Sequence, residues 1–298
     1  MSTTTRSTTT HHGVIVGVDG SSASDAAVRW AAHDAALRHV PLTLVHVQLM
    51  PMALTLPEMV MAYGVVEERV DRHGRDVLER AAQVAQQSPA GSNVEVRIKM
   101  PTGNIVATLS DMSKEATMLV VGGQGENARQ QRHLGSVSQG VVHHAHCPVA
   151  IIDDSEPGAG PTAPVLVGID GSPASEAATA VAFDEASRRG VGLIALHSWS
   201  DFGPYRIPTV DWEPQLEAGK EALAERMAGW QERYPDVAVE RRLVWGEPAH
   251  TLAAASEEAQ LLVVGSHGRG GFAGMLLGSV SSTVVQIARV PLIVARAV

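Results

Sequence analysis

The sequence predicts an α/β protein made of two tandem doubly wound units, each a five-stranded parallel sheet with helices on both faces. Three observations carry this: an internal repeat, short apolar runs alternating with longer helical stretches, and an acidic joint rich in Pro and Gly near the middle. VIVGVDGSSAS, from Val14, returns as VLVGIDGSPAS from Val165, and MLVVGGQG, from Met118, returns as LLVVGSHG from Leu261. Between them LTLVHV matches LIALHS and TGNIVATL matches GEPAHTL, and each half closes on CPVAII or VPLIVA. A period of about 150 residues is the length of one ordinary domain, so the repeat marks two domains.

The short runs are rich in Val, Ile and Leu and alternate with longer stretches of helical pattern, which fits βαβ units and a parallel sheet buried on both faces. They place strands at 14–19, 42–48, 93–100, 117–122 and 148–152, and again at 165–170, 192–198, 237–244, 261–265 and 291–295. The Ala-rich stretches 24–38 and 175–189 read as the first helix of each half, opened by a Ser and an acidic residue that suit the positive end of a helix dipole. Helices at 136–145 and 279–288 lead into the last strands. The domain plan is a polar Thr-rich tail at 1–12, unit one at 13–153, a linker at 154–164 whose Pro and Gly disfavour regular structure, and unit two at 165–298.

Composition narrows the function classes. A net charge of −9 in 298 residues provides no broad basic face, so nucleic acid is not an expected partner. No apolar run approaches the roughly 18 residues that cross a bilayer. Cys147 is the single cysteine, so no intrachain disulfide can form; with no secretory pattern at 1–12, a cytoplasmic location is expected.

In doubly wound sheets ligands sit beyond the carboxyl ends of the strands, and two constellations fall there. Gly17 and Asp19, with Gly168 and Asp170, close the first strand of each half, where the carboxylate is either a ligand group or a turn and cap residue. After the fourth strand, Gly122, Gly125, Gly135 and Ser136 in one half and Gly265, Gly268, Gly278 and Ser279 in the other obey G-x2-G-x9-G-S, then enter a helix. Glycines allow close backbone approach, and a helix N-terminus offers N–H groups and positive potential to an anion such as phosphate. A single such loop is ordinarily a turn; repetition with one internal spacing argues for a ligand.

With Asp after strand one and G-x2-G-x9-G-S after strand four in both halves, the chain resembles a tandem member of the ATP-binding branch of the universal stress protein family. The resemblance covers nearly everything from Val14 onward. It implies strand order 3-2-1-4-5 in each half, pairing of the halves about a pseudo-twofold axis through their fifth strands, and ATP across the ends of strands one and four. It further implies that Asp19 and Asp170 hold the ribose side and that backbone at Val47 and Ser198 meets adenine. Val137 and Val280 then join the glycines and serines around ribose and phosphates. Further self-association as a homodimer and an unidentified regulatory protein partner also follow from the resemblance.

The halves differ. The second loop, GSHGRGGFAGMLLGS, carries Arg269 where the first, GGQGENARQQRHLGS, carries Glu126, so tighter nucleotide binding is expected in the second half. Walker A and G-x-G-x-x-G signatures are missing from the sequence. DMSKE at 111–115 lies within the third helix without a partner motif, and His143, His144, His146 and Cys147 lack counterparts in the other half, so both read as structural. His46 and His197, matched on strand two, read as buried hydrogen-bonded histidines. The segments 50–61 and 200–212 read as flaps or covering loops. Without a base beside either glycine loop, the function expected is a non-enzymatic ATP-binding regulator of stress adaptation, dormancy or growth control. The alternatives are a slow ATP hydrolase or phosphotransferase using Mg²⁺ with Asp19 or Asp170, and an interaction scaffold.

Overall fold

A computed structural model describes residues 12–49, 60–88, 93–125, 134–154, 159–199, 213–268 and 277–296. In the first half the order is β1 (Val14–Gly17), α1 (Ser22–Arg38), β2 (Leu42–Val45), α2 (Val60–Gln87), β3 (Val96–Lys99), α3 (Ile105–Met112), β4 (Met118–Gly122), α4 (Ser136–His144) and β5 (Val149–Ile152). The second half repeats it as β6 (Val165–Gly168), α5 (Pro173–Arg189), β7 (Leu193–Trp199), α6 (Glu213–Arg233), β8 (Val239–Trp245), α7 (Pro248–Ser256), β9 (Leu261–Gly265), α8 (Ser279–Ile287) and β10 (Leu292–Ala295).

The two halves share one ten-stranded sheet of order β3-β2-β1-β4-β5-β10-β9-β6-β7-β8, which is 3-2-1-4-5 read from the outer edge toward the join in each half. Every pairing is parallel except the central one, where β5 and β10 run antiparallel with Leu292 opposite Ile151 and Val294 opposite Val149. An apolar strand left at an edge is an open template for association. Here the edge of each half covers the other, as the pseudo-twofold arrangement requires.

Strand side chains alternate between two buried layers. Val14 and Val16 join the layer under α1, α2, α5 and α6, whereas Ile15, Leu119 and Leu262 join the layer under α3, α4, α7 and α8. That double burial is why β1, β4, β5, β6, β9 and β10 carry no polar side chain, whereas the edge strands β3 (VRIK) and β8 (VERRLVW) do. Helix α1 lies on the sheet through Ala27, Ala31 and Ala35, all fully buried, since alanine lets a helix approach closely. Its C-cap His39 adopts the left-handed conformation (φ 55°), where the second half uses Gly190 (φ 65°).

Several boundaries move. Strands β1 and β6 end at Gly17 and Gly168, so Asp19 and Asp170 sit in the following turn rather than ending a strand. Helices α1 and α5 begin at Ser22 and Pro173, capped by Ser21 and Ser172, because those hydroxyls accept from the N–H of Ser24 (3.1 Å) and Ser175 (3.2 Å). His46 lies just beyond β2, while His197 is within β7. DMSKE spans the end of α3 and a one-turn 3-10 helix, Ser113–Glu115. Of the linker, Asp154 and 159–164 are described, and Gln260 Nε2 donates to the carbonyls of Pro161 (2.7 Å) and Ala163 (2.6 Å), fastening the joint to unit two. Residues 1–11 of the tail, most of the two flap segments, Glu126 and Arg269 lie outside the described residues.

Candidate functional site

Each half opens a cleft at the carboxyl end of its sheet, between the first and fourth strands. The first has a volume of about 460 Å³ and the second about 280 Å³. Gly17, Asp19, Val47, Gly122, Gly125, Gly135, Ser136 and Val137 all line the first. Gly168, Asp170, Ser198, Gly265, Gly268, Gly278, Ser279 and Val280 all line the second. Residues separated by more than a hundred positions therefore converge on one wall in each half.

The Asp turn is built by reciprocal hydrogen bonds. Asp19 Oδ1 accepts from the Ser21 N–H at 3.0 Å, while the buried Ser24 hydroxyl accepts from the Asp19 N–H at 3.4 Å. The second half repeats this: Asp170 Oδ1 accepts from Ser172 N–H at 2.9 Å, and Ser175 Oγ accepts from the N–H groups of Asp170 (3.3 Å) and Gly171 (3.1 Å). One carboxylate oxygen thus performs the turn role open at the sequence level. The other lies toward the glycine loop, where a β-carbon on Gly125 would stand 2.9 Å from Asp19 Oδ2 and one on Gly268 would stand 2.7 Å from Asp170 Oδ2.

The glycines have a packing reason that the sequence reading did not allow for. A β-carbon on Gly122 would come within 2.9 Å of the Ala23 backbone, and one on Gly265 within 2.6 Å of the Ala174 backbone. These two glycines let the first helix seat against the end of the fourth strand, so their recurrence is not by itself a ligand signal. The loop's ends also meet: Gly135 N–H donates to Gly123 O (2.9 Å) and Gly278 N–H to Ser266 O (2.7 Å). Equal spacing in the two halves partly reflects that closure.

The helices beyond the loops begin at the cleft wall. α4 and α8 start at Ser136 and Ser279, and their N-cap residues, Gly135 and Gly278, provide no side-chain cap. The first turn of each is held over the cleft by a hydroxyl the sequence reading passed over: Ser138 Oγ donates to Gly122 O and Ser281 Oγ to Gly265 O, both at 2.6 Å. Its signal was available, because GSVS occurs at the same place in both halves. Uncapped N–H groups at the positive end of a helix dipole suit phosphate.

The opposite wall is apolar. Val45, Val47, Ile105, Leu109 and Val121 line the first cleft; Leu196, Pro248, Leu252 and Val264 line the second. Ile105 and Pro248 open α3 and α7, whose caps Asn104 and Glu247 accept from helix N–H groups. Apolar side chains and an uncapped helix terminus lining one cleft suit a ring joined to an anion. His46 also lines the first cleft and is held by a 2.9 Å hydrogen bond from Nδ1 to Val18 O, which requires the proton on Nδ1. His197 makes the same bond to Ile169 O.

The remaining candidates are structural in their surroundings. Cys147 is buried, which pushes its thiol up to about 12. Burial, then the neighbouring His144 and Arg296, lower the pKa of His143. Among the described residues no three His, Cys, Asp or Glu side chains gather as a metal site, and no helix is long and apolar enough to cross a membrane.

Fold and clefts together define a tandem α/β protein with one candidate anion-and-ring cleft per half. The profile of the universal stress protein family matches residues 11–153 and 162–296, and the chain belongs to that family. It is 52% identical to universal stress protein Rv2623 of Mycobacterium tuberculosis over 287 residues, covering 95% of this chain and 96% of that protein. Universal stress protein Rv2005c of the same organism is 51% identical over 290 residues, covering 96% and 97%. Among solved structures, a universal stress protein from Archaeoglobus fulgidus superposes with a TM-score of 0.69 at 21% identity over 95% of this chain and 96% of that one, a likeness of fold.

Proposed function

We propose that this chain is an adenine-nucleotide-binding regulator acting in stress adaptation, dormancy or growth control, with ATP as the ligand of both clefts. The observation that carries the reading is the pairing, in each half, of an uncapped helix N-terminus at Ser136 or Ser279 with an apolar slot around Val47 or Leu196. The first suits phosphates and the second suits a purine ring. Asp19 and Asp170 stand between them, where a carboxylate accepts ribose hydroxyls. Mg²⁺ would accompany the phosphates as part of the ligand, since ATP itself supplies oxygen ligands that hard cations prefer.

Regulation follows from occupancy. A nucleotide spanning the Asp turn, the α3 or α7 wall and the α4 or α8 terminus joins three separate elements, so binding favours the arrangement in which all three are in place. A partner protein that reads that arrangement would sense the nucleotide, and self-association as a homodimer would double the reading surface. The test is mass spectrometry of small molecules released by denaturing freshly purified protein. Stoichiometric adenine nucleotide, reduced by half in Asp19→Ala and again by half in Asp170→Ala, is expected. Protein that carries none and fails to load with ATP at millimolar concentration would sink the proposal.

A further inference from the structure

Outside both clefts, α4 and α8 leave a hollow between them where the two halves meet. It has a volume of about 230 Å³ and is lined by those two helices and the residue just before each N-cap. The offset that relates Gly135 to Gly278 also relates its lining: Leu134 corresponds to Leu277, and Val142 to Val285. Above these apolar residues, Gln139 corresponds to Ser282 and His143 to Gln286. Val142 and Leu277 are buried, whereas Gln139 and Gln286 are exposed, so the hollow has an apolar floor and a polar rim.

Size and chemistry together define what fits. Packed protein interiors seldom leave voids larger than one water, whose share of liquid volume is about 30 Å³, and an apolar cavity of about 150 Å³ is enough to hold benzene. A hollow of about 230 Å³ therefore admits a six-membered ring with a polar substituent. At the rim the Gln amides, the Ser282 hydroxyl and the His143 imidazole can all donate, and none of the lining residues is acidic. Arg296, following β10, sends Nη2 to the Val142 carbonyl, and its buried Nε has no hydrogen-bond partner among the described residues. Positive charge thus lies against the α4 wall, and donors without a competing carboxylate favour an anion.

The hollow shares its helices with the clefts. Leu134 and Leu277 directly precede Gly135 and Gly278, the N-caps that line the two clefts. The Gln139 and Ser282 N–H groups donate to the carbonyls of those same glycines, each at 2.9 Å. A molecule wedged between α4 and α8 therefore bears on the first turn of both helices.

We propose that this hollow is a binding site for a small carboxylate with a compact apolar body, and that its occupant raises the nucleotide affinity of both clefts by fixing α4 and α8. The second part rests on the nucleotide-binding reading; the first does not. The apolar body lies on the Leu and Val floor, and the carboxylate takes hydrogen bonds from the rim. Because binding free energies are linked, ATP must tighten the carboxylate by the same factor by which the carboxylate tightens ATP.

The test titrates the ¹³C-methyl-labelled full chain, free of nucleotide, with benzoate and separately with benzamide. Saturable shifts of the Val142 and Val285 methyl groups are expected at millimolar benzoate, with benzamide at least severalfold weaker. Ser282→Phe should abolish them by filling the hollow. Gln286→Ala, an exposed change that spares the fold, should weaken benzoate severalfold with an unchanged thermal midpoint. Arg296→Gln should weaken benzoate and leave benzamide alone. Absence of saturable shifts, benzamide binding as tightly as benzoate, or indifference to both Ser282→Phe and Gln286→Ala would overturn the site. Calorimetric titration with ATP at saturating benzoate should then show severalfold tighter binding in both clefts, and an unchanged affinity would overturn the coupling. Benzoate binding in a chain that takes no ATP would uphold the site and sink the nucleotide reading instead.

Discussion

Asp19 and Gly125 are built against each other: a β-carbon on the glycine would stand 2.9 Å from Asp19 Oδ2, and the same relation links Gly268 to Asp170 at 2.7 Å. The residue at this loop position therefore determines where the carboxylate rests.

Gly125→Ala and Gly268→Ala should displace the Asp carboxylate while leaving the fold in place, because the clash is with the end of a side chain. Nucleotide affinity of the altered cleft is expected to fall about tenfold or more, which is about 1.4 kcal/mol, with a thermal midpoint close to wild type. Calorimetric titration alongside thermal unfolding would check both halves of this statement.

Gly122→Ala and Gly265→Ala should behave in the opposite way. Their β-carbons would meet the backbone of Ala23 and Ala174, at 2.9 and 2.6 Å, and neither the strand nor the first helix can yield cheaply. A loss of about 1–3 kcal/mol in stability is expected, larger for Gly265, measured by urea unfolding.

Ser138→Ala and Ser281→Ala each remove a 2.6 Å hydrogen bond to the strand-end carbonyl beneath the helix terminus. Leaving that carbonyl unpaired should cost about 1–3 kcal/mol. If the helix terminus is the phosphate seat, affinity should fall as well, whereas a purely structural tie would spare it.

Much of this arrangement was legible in the sequence because repetition supplies an internal control. Two copies of Val-x-Val-Gly-x-Asp-Gly-Ser placed the Asp turns, and two copies of the glycine loop placed the second wall of each cleft. Those two signals located twelve of the seventeen residues named for the site, and the family resemblance added Val47, Val137, Ser198 and Val280; all sixteen line the clefts, with Arg269 outside the described residues. What the sequence hid was the division of labour among them. Gly122 and Gly125 look alike in a string of letters, yet one touches helix backbone and the other a carboxylate, a distinction made by tertiary packing. The buried charges where α1 meets α5 were hidden for a related reason: Asp34 and Arg38 stand at i, i+4 along α1, and their burial comes from Asp184 and Glu185 of the other half.

His39 illustrates a local cost that only backbone geometry reveals. It holds φ 55° at the C-cap of α1, a conformation that Gly190 adopts without a side-chain penalty in the matching position. His39→Gly should stabilise the chain by about 0.5–1 kcal/mol, the left-handed penalty less the added freedom of the unfolded chain. Differential scanning calorimetry would register it as a raised midpoint.

Burial that pushes the Cys147 thiol up to about 12 leaves it neutral throughout the ordinary pH range. Since the thiolate is the nucleophile, native protein should resist iodoacetamide at pH 8 and react fully once unfolded. Intact-mass spectrometry before and after denaturant would read this directly.

One adenine nucleotide in each half is the most direct consequence of the proposed function. Isothermal titration of nucleotide-free chain with ATP should give two equivalents bound per chain, falling to one in Asp19→Ala and one in Asp170→Ala, and to none in the double variant. Absence of binding at millimolar ATP, or a stoichiometry that neither substitution alters, would contradict it.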